Sequence, residues 1–322
     1  MSEGSKARPL ARVAAVIRLV LQRRRINRTQ FNQAGFHRWR VGEARVTKIV
    51  ELEGEGFGEF LLPEADTAKA RQVAWLDRGH LGPRGGLKLS VHSFVIEIDG
   101  RVILVDTNVG NGKRRRVPIW DRLATPWLQD LKRAGFDPDD IDMVICTHLH
   151  IDHVGWNTVL QKGRWTPTFP NARYVIVKDE YDYWRARSTE PERAQLFADS
   201  IQPIIDAGLA DLVAIDAEVT PGIELVPTPG HTEFHVAVKL KSAGQSAMIT
   251  GDFLHHPVQI AFPEIASSFD TSPEVSVQTR RAMLRALAEE NTLVFGTAFA
   301  DPTAGYIRID RDRFSFEPAP SE

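Results

Sequence analysis

Thr147-His148-Leu149-His150-Ile151-Asp152-His153-Val154-Gly155 gathers three imidazoles and a carboxylate between His148 and His153. That is too polar for a core and too specific for a chance surface loop. On a tight turn, side chains two apart can point the same way, so His148 and His150 can share one ion. Asp152 and His153 follow on the next turn and can face a neighbouring position. Imidazole and carboxylate donors suit zinc, iron and manganese. A lone His-x-His would read more simply as a charged turn at a helix start, with Asp152 as a cap. Four such groups together point to metal.

Outward from this run, the chain alternates strand and helix patterns. Ile141 to Cys146 reads as a short buried strand, which delivers polar residues at its C-terminal end, where open α/β sheets place their sites. Upstream, Val46 to Glu51 and Ser90 to Ile98 alternate as strands. Asp99-Gly100 is a hairpin signal, with Arg101 to Val105 as the partner. A helix is expected over Asp121 to Ala134, closed by Gly135. Downstream, Tyr174 to Val177, Val236 to Leu240, Ala247 to Thr250 and Thr292 to Phe295 read as strands, the last closing the core. Helices are expected over Lys178 to Arg187 and Pro191 to Ala207. Another should open at Ser272-Pro273, with Ser272 as N-cap, and run to about Glu290. Two sheets stacked between helices fit this order.

The run His148-Leu149-His150-Ile151-Asp152-His153 resembles the signature of the metallo-β-lactamase-like superfamily. Leu104-Val105-Asp106-Thr107, Thr228-Pro229-Gly230-His231-Thr232 and Thr250-Gly251-Asp252 follow in the expected order, over about Ser90 to Ile309. The nearest branch in appearance is that of lactonases and organophosphate hydrolases. The resemblance implies a four-layer αβ/βα sandwich with a metal cleft at one edge of the two sheets. It implies that His148, His150 and His231 hold a first ion, that Asp152 and His153 hold a second, and that Asp252 bridges them. Zinc is the expected metal, with iron or manganese as alternatives. A bound ion lowers the pKa of water towards about 7 and polarises a carbonyl or phosphoryl oxygen. The activity implied is hydrolysis of a lactone, carboxylic ester or phosphotriester by the resulting hydroxide. Asp152 would orient the nucleophile or carry a proton.

One position departs from the branch. Its last strand ends Gly-Thr-His-Phe, whereas this chain reads Gly296-Thr297-Ala298-Phe299. Ala298 cannot bind metal, so the first ion is expected to bind firmly and the second weakly or not at all. His255 and His256 are the candidates to compensate, by coordination or, for His255, as acid to the leaving group. Lining the cleft is the simpler reading for both. His235 is expected to support the site rather than ligate, and Asp106 to hydrogen-bond a ligand histidine. Cys146, Trp120, Trp127 and Trp156 read as core, and Lys113 to Arg116 as a solvated loop. The loop Gly54 to Pro63 and the helices after Lys178 are expected to shape a pocket.

The 322 residues are enough for a full core, and residues 31–322 are expected to form one domain. Residues 1–30 read as a basic helical or disordered extension, with a membrane-surface helix as the alternative. No apolar run approaches the roughly 20 residues that span a bilayer. With one cysteine there is no intramolecular disulfide and no thiolate-based zinc site, and a cytoplasmic location is expected. A net charge of −2 argues against nucleic acid as partner, which leaves a small-molecule substrate. The sequence leaves room for a homodimer. The competing functions are mononuclear iron oxidation on the same scaffold and a catalytically weak or inactive binding homologue.

Overall fold

The computed structural model describes residues 36–77, 79–311 and 313–322, so the expected N-terminal extension lies outside the described residues. The first sheet is built from β1 (His37–Val41), β2 (Ala44–Glu55), β3 (Lys88–Ile98), β4 (Arg101–Val105), β5 (Met143–Ile145), β8 (Arg173–Val177) and β9 (Ala210–Val213), in that order. The hairpin β6 (Thr158–Gln161) and β7 (Arg164–Pro167) stands apart from it. The second sheet runs β10 (Glu218–Thr220), β11 (Ile223–Pro227), β12 (Val236–Ser242), β13 (Gln245–Ile249), β14 (Leu293–Phe295), β15 (Ala304–Asp310) and β16 (Arg313–Pro318). Both sheets are mixed: β4, β5, β8 and β9 pair in parallel, as do β13 and β14, while the remaining neighbours are antiparallel.

Strand alternation produces the layers. Ile103, Val105, Ile145, Val175 and Val177 face Val236, Val238, Leu240, Ile249 and Phe295 in one buried cluster between the sheets. Their sequence neighbours Leu104, Val144, Tyr174 and Ile176 point the other way, against Trp127 and Leu131 of helix Trp127–Arg133 and Tyr181 and Trp184 of helix Lys178–Ala186. On the far side, Ala237, Met248 and Val294 meet Leu284 and Leu287 of helix Pro273–Glu289. The result is helix, sheet, sheet, helix, as expected.

Several local expectations change. The helix anticipated over Asp121 to Ala134 is helical only from Trp127 to Arg133. Ser272 precedes its helix but its side chain makes no capping bond. The Thr292 to Phe295 strand is not the last: β15 and β16 extend the sheet beyond it. The Lys113–Arg116 loop is not simply solvated, because Lys113 and Arg115 are buried. Arg115 makes two bonds to Asp199, at 2.8 and 3.0 Å, and Lys113 Nζ donates to Thr158 Oγ1 at 2.7 Å. Asp199 supplies the charge that lets these cations leave water.

Candidate metal centre

β5 ends at Ile145, and the chain passes into the histidine run without a helix. Asp106, just past β4, braces the exit. Its carboxylate accepts from Thr147 N at 2.9 Å, from Thr147 Oγ1, and from His153 Nδ1 at 2.8 Å. Asp106 has φ of 56°, a left-handed conformation that Asp tolerates better than most residues. Gly155 lets the loop return beneath itself, since a Cβ there would lie 1.9 Å from Val109 O. Trp156 N and Gly155 N then donate to Thr107 O and Asn108 O, each at 2.7 Å.

Three further segments close on this loop. His231 follows β11, and its Nδ1 donates to Asp270 Oδ1 at 3.0 Å, leaving Nε2 free to accept. That Nε2 lies 2.9 Å from His150 Nδ1. Asp252 follows β13, and its backbone N–H donates to His235 Nε2 at 2.8 Å. The bond fixes His235 as the Nδ1–H tautomer, with Nδ1 donating to Thr228 Oγ1 at 2.7 Å. Gly251, with φ of 53°, makes this approach feasible, as a Cβ would meet His235 Nε2 at 2.5 Å. His235 therefore supports Asp252 from behind, in agreement with its expected role.

Asp252 Oδ2 is the convergence point. It lies 3.3 Å from His153 Nε2, 3.3 Å from His231 Nε2, 3.2 Å from His255 Nε2 and 4.0 Å from His148 Nε2. Three sets of donors lie mutually within 4.8 Å: His148, His150 and His231; His148, His153 and Asp252; His231, Asp252 and His255. Asp152 belongs to none of these sets. It stands at the rim, 23% exposed, with Oδ2 3.9 Å from His153 Nε2. Ala298 contributes only its carbonyl oxygen, which accepts from Ser90 N.

The electrostatics match a cation-binding cavity. Burial, reinforced by neighbouring imidazoles, drives His148 and His150 well below the usual histidine range, so both are neutral, the form that ligates. Burial would do the same to His153, but Asp252, Asp106 and Asp152 raise it well above that range instead. Burial would raise Asp252, yet His153 and His255 hold it far down, so it is ionised. His148 Nε2, Asp252 Oδ1 and both ring nitrogens of His255 are buried without a hydrogen-bond partner among the described residues. Orphaned buried atoms of this kind call for a partner, and a divalent cation would satisfy His148 Nε2, Asp252 and one ring nitrogen of His255.

His255 and His256, equal in the sequence, separate here. His256 Nδ1 accepts from Val258 N and its Nε2 donates to His80 O, so it is a packed structural residue. His255 turns towards Asp252. Trp127 and Trp156 stack in the core at 5.5 Å, and Cys146 is buried, its thiol pushed up to about 12 by burial.

Two carboxylates at the site carried no signal in the sequence. Asp270 orients His231 and is fully buried. Glu180 accepts from Leu149 N, between His148 and His150, at 3.1 Å, and from Trp184 Nε1 at 2.7 Å. The Trp184 ring in turn packs against His150, with centroids 5.3 Å apart.

Comparison with known proteins bears on the family and the fold. A family model for the metallo-β-lactamase superfamily matches residues 86–296. An N-acyl homoserine lactonase of Bacillus thuringiensis is 25% identical over 228 residues, covering 67% of this chain and 83% of that protein. A probable metallo-hydrolase of Mycobacterium tuberculosis is 25% identical over 185 residues, covering 53% and 59%. Among solved structures, the hydrolase AbOPH aligns with a TM-score of 0.74 at 21% identity, over 89% of this chain and 98% of that one. AidC, described as a dizinc quorum-quenching lactonase in complex with a product, aligns at 0.71 and 22% identity, over 88% and 97%. At these identities the structural likeness speaks for the fold.

Proposed function

The chain belongs to the metallo-β-lactamase superfamily, and from that premise we propose that it is a zinc-dependent hydrolase that opens a lactone ring bearing an apolar substituent. The observation that carries the reading is the convergence of four imidazole Nε2 atoms on one oxygen of Asp252. His148, His150 and His231 would hold the first ion. Asp152 and His153 would hold a second less firmly, with Asp252 between them, because Ala298 brings no donor.

When bound, a divalent ion supplies an activated water at neutral pH and an electrophile for a carbonyl oxygen. The side chains do the rest. Asp152, at the rim, is the carboxylate placed to take the proton of the attacking water and return it to the departing alkoxide. Asp252, ionised and backed by His235, fixes the negative charge at the centre of the site.

The apolar substituent has a wall to lie against. Phe57 packs on Trp120 at 5.2 Å and on Phe60 at 5.5 Å, and Phe60 meets Phe269 at 5.4 Å. Phe269 is 38% exposed and precedes Asp270, the partner of His231. The segment after Gly54 would then line the pocket. The curated lactonases support a lactone over the other ester-like bonds.

The test is metal content after exhaustive dialysis, followed by rates on N-acyl homoserine lactones of increasing chain length, aryl esters and phosphotriesters. Zinc retention with the highest kcat/KM on the longer lactones is expected. A protein that retains no divalent ion, or that opens no lactone when loaded, would overturn the reading. A second reading rests on one observation: His148, His153 and Asp252 form two imidazoles and a carboxylate, the donor set of mononuclear iron oxygenases. Iron retained in preference to zinc, with substrate-dependent oxygen uptake, would favour it.

A further inference from the structure

We propose that His255 is a metal ligand of this chain and supplies the donor that Ala298 lacks. The inference rests on the metal-dependent reading above and deepens it. The first argument is distance. His255 Nε2 lies 3.2 Å from Asp252 Oδ2, as near as the 3.3 Å of His153 and His231, both ligands in the proposed site. With His231 and Asp252 it completes a trio of donor atoms within 4.8 Å, and all three residues are buried.

The second argument is what His255 lacks. Its side chain is 2% exposed, and among the described residues Nδ1 has no hydrogen-bond partner and Nε2 faces only the Asp252 carboxylate, at 3.2 Å. A buried ring nitrogen left without a partner is costly. Two of its neighbours escape that cost. His256, one residue on, has both nitrogens bonded, and His235 likewise. His255 is left open, and its open Nε2 is the one directed at Asp252.

The third argument is how the residue is held. Its backbone N–H donates to Gln259 Oε1 at 2.8 Å, and Gln259 Nε2 donates to Ile265 O at 2.9 Å. A buried side chain thus anchors the segment that presents the ring to Asp252. Two imidazoles and a carboxylate are a donor set for zinc, manganese or iron.

Zinc titration, with metal counted by mass spectrometry and affinity read by competition with a chromophoric chelator, tests the assignment. The native chain, His255→Ala, His255→Gln, Ala298→His and the double variant would be compared, with circular dichroism confirming that each is folded. The native chain should hold two ions with unequal affinity. His255→Ala and His255→Gln should lose the weaker ion, its Kd rising by more than the about 10–100-fold typical of outer residues. The stronger ion should be retained, and Ala298→His should restore a second ion in the His255→Ala background. Cobalt substitution gives an independent readout, since losing a nitrogen donor changes the visible spectrum of one ion only. An unchanged second Kd and cobalt spectrum in folded His255→Gln would overturn the proposal. If kcat then fell with a shifted basic limb, His255 would instead be the acid that protonates the leaving group. A native chain that binds no zinc would overturn the hydrolase reading itself, whereas one firm ion indifferent to His255 would overturn only this assignment.

Discussion

His231 and His153 present Nε2 to the same oxygen of Asp252 at the same 3.3 Å, yet the ground behind them differs. Behind His231 stands Asp270, fully buried, whose second oxygen accepts from Ser267 N at 2.9 Å. Hydrogen bonding to His231 helps hold that carboxyl below its usual range against the effect of burial, so it remains an anion. Behind His153 stands Asp106, which also braces Thr147. Both imidazoles are oriented, so the outer scaffold is complete on both sides. The donors are not. His231 has His148 and His150 beside it, whereas His153 has Asp152 at the rim, and residue 298, an alanine, brings no donor. The contrast teaches that the two halves should differ in how tightly they hold an ion rather than in how well they fold.

The largest expected effect comes from destroying the stronger half. His148→Ala removes a donor shared by two of the three sets. Electrophilic stabilisation by an ion is worth several kcal/mol, and each 1.4 kcal/mol is about tenfold in rate, so kcat/KM should drop on the order of 10^3-fold or more. Metal content should fall with it. Near-native activity and zinc content in His148→Ala would break the comparison outright.

A smaller effect should follow from loosening an outer partner. Asp270→Asn keeps the shape but removes the anion that orients His231, and metal affinity of the first half should weaken by about 10–100-fold. Asp106→Asn should have its main effect on the second half through His153. If both variants weakened the same ion equally, the two halves would be one coupled site. Sequential zinc titrations of the two proteins decide between these outcomes.

How much of this was legible in the sequence follows from distance along the chain. His148, His150, Asp152 and His153 are local, so their spacing marks them, whereas His231 and Asp252 were marked by the resemblance that their short segments carry. The layers were legible too, because Val175 and Val177 alternate with Tyr174 and Ile176 in any sheet with two buried faces. Asp270 and Glu180 were not, since they reach the site from 39 and 31 residues away and each is an unremarkable acid on a helix or loop. Lys113 and Arg115 were misread for the same reason: the charge run is visible, but the Asp199 that buries it is 84 residues beyond Arg115. His255 and His256 could not be ranked because adjacent residues share every sequence property, and only the bonds each ring makes tell them apart.

The smallest effect sharpens the comparison from beneath. The loop that carries His153 continues to Trp156, whose Nε1 donates to Glu51 Oε1 at 2.7 Å, and Glu51 Oε2 accepts from Val109 N at 2.8 Å. Burial raises the Glu51 carboxyl to about 7, although these bonds oppose the shift. The sign follows from linkage. Below about pH 4.5, folded and unfolded chains both carry the proton; between there and pH 7 only the folded chain does. Glu51 therefore contributes stability at low pH that is lost as pH rises, by about 1.4 kcal/mol per unit across that window. Glu51→Gln keeps an acceptor for Trp156 and cannot ionise. Its urea midpoint should fall less steeply from pH 5 to 7 than that of the native protein, while zinc stoichiometry at pH 7 stays the same. Parallel slopes for the two proteins would show that Glu51 is already ionised in the fold. The support under the second half would then be an anion, like the Asp270 carboxylate behind the first, and the two halves would differ in their donors alone.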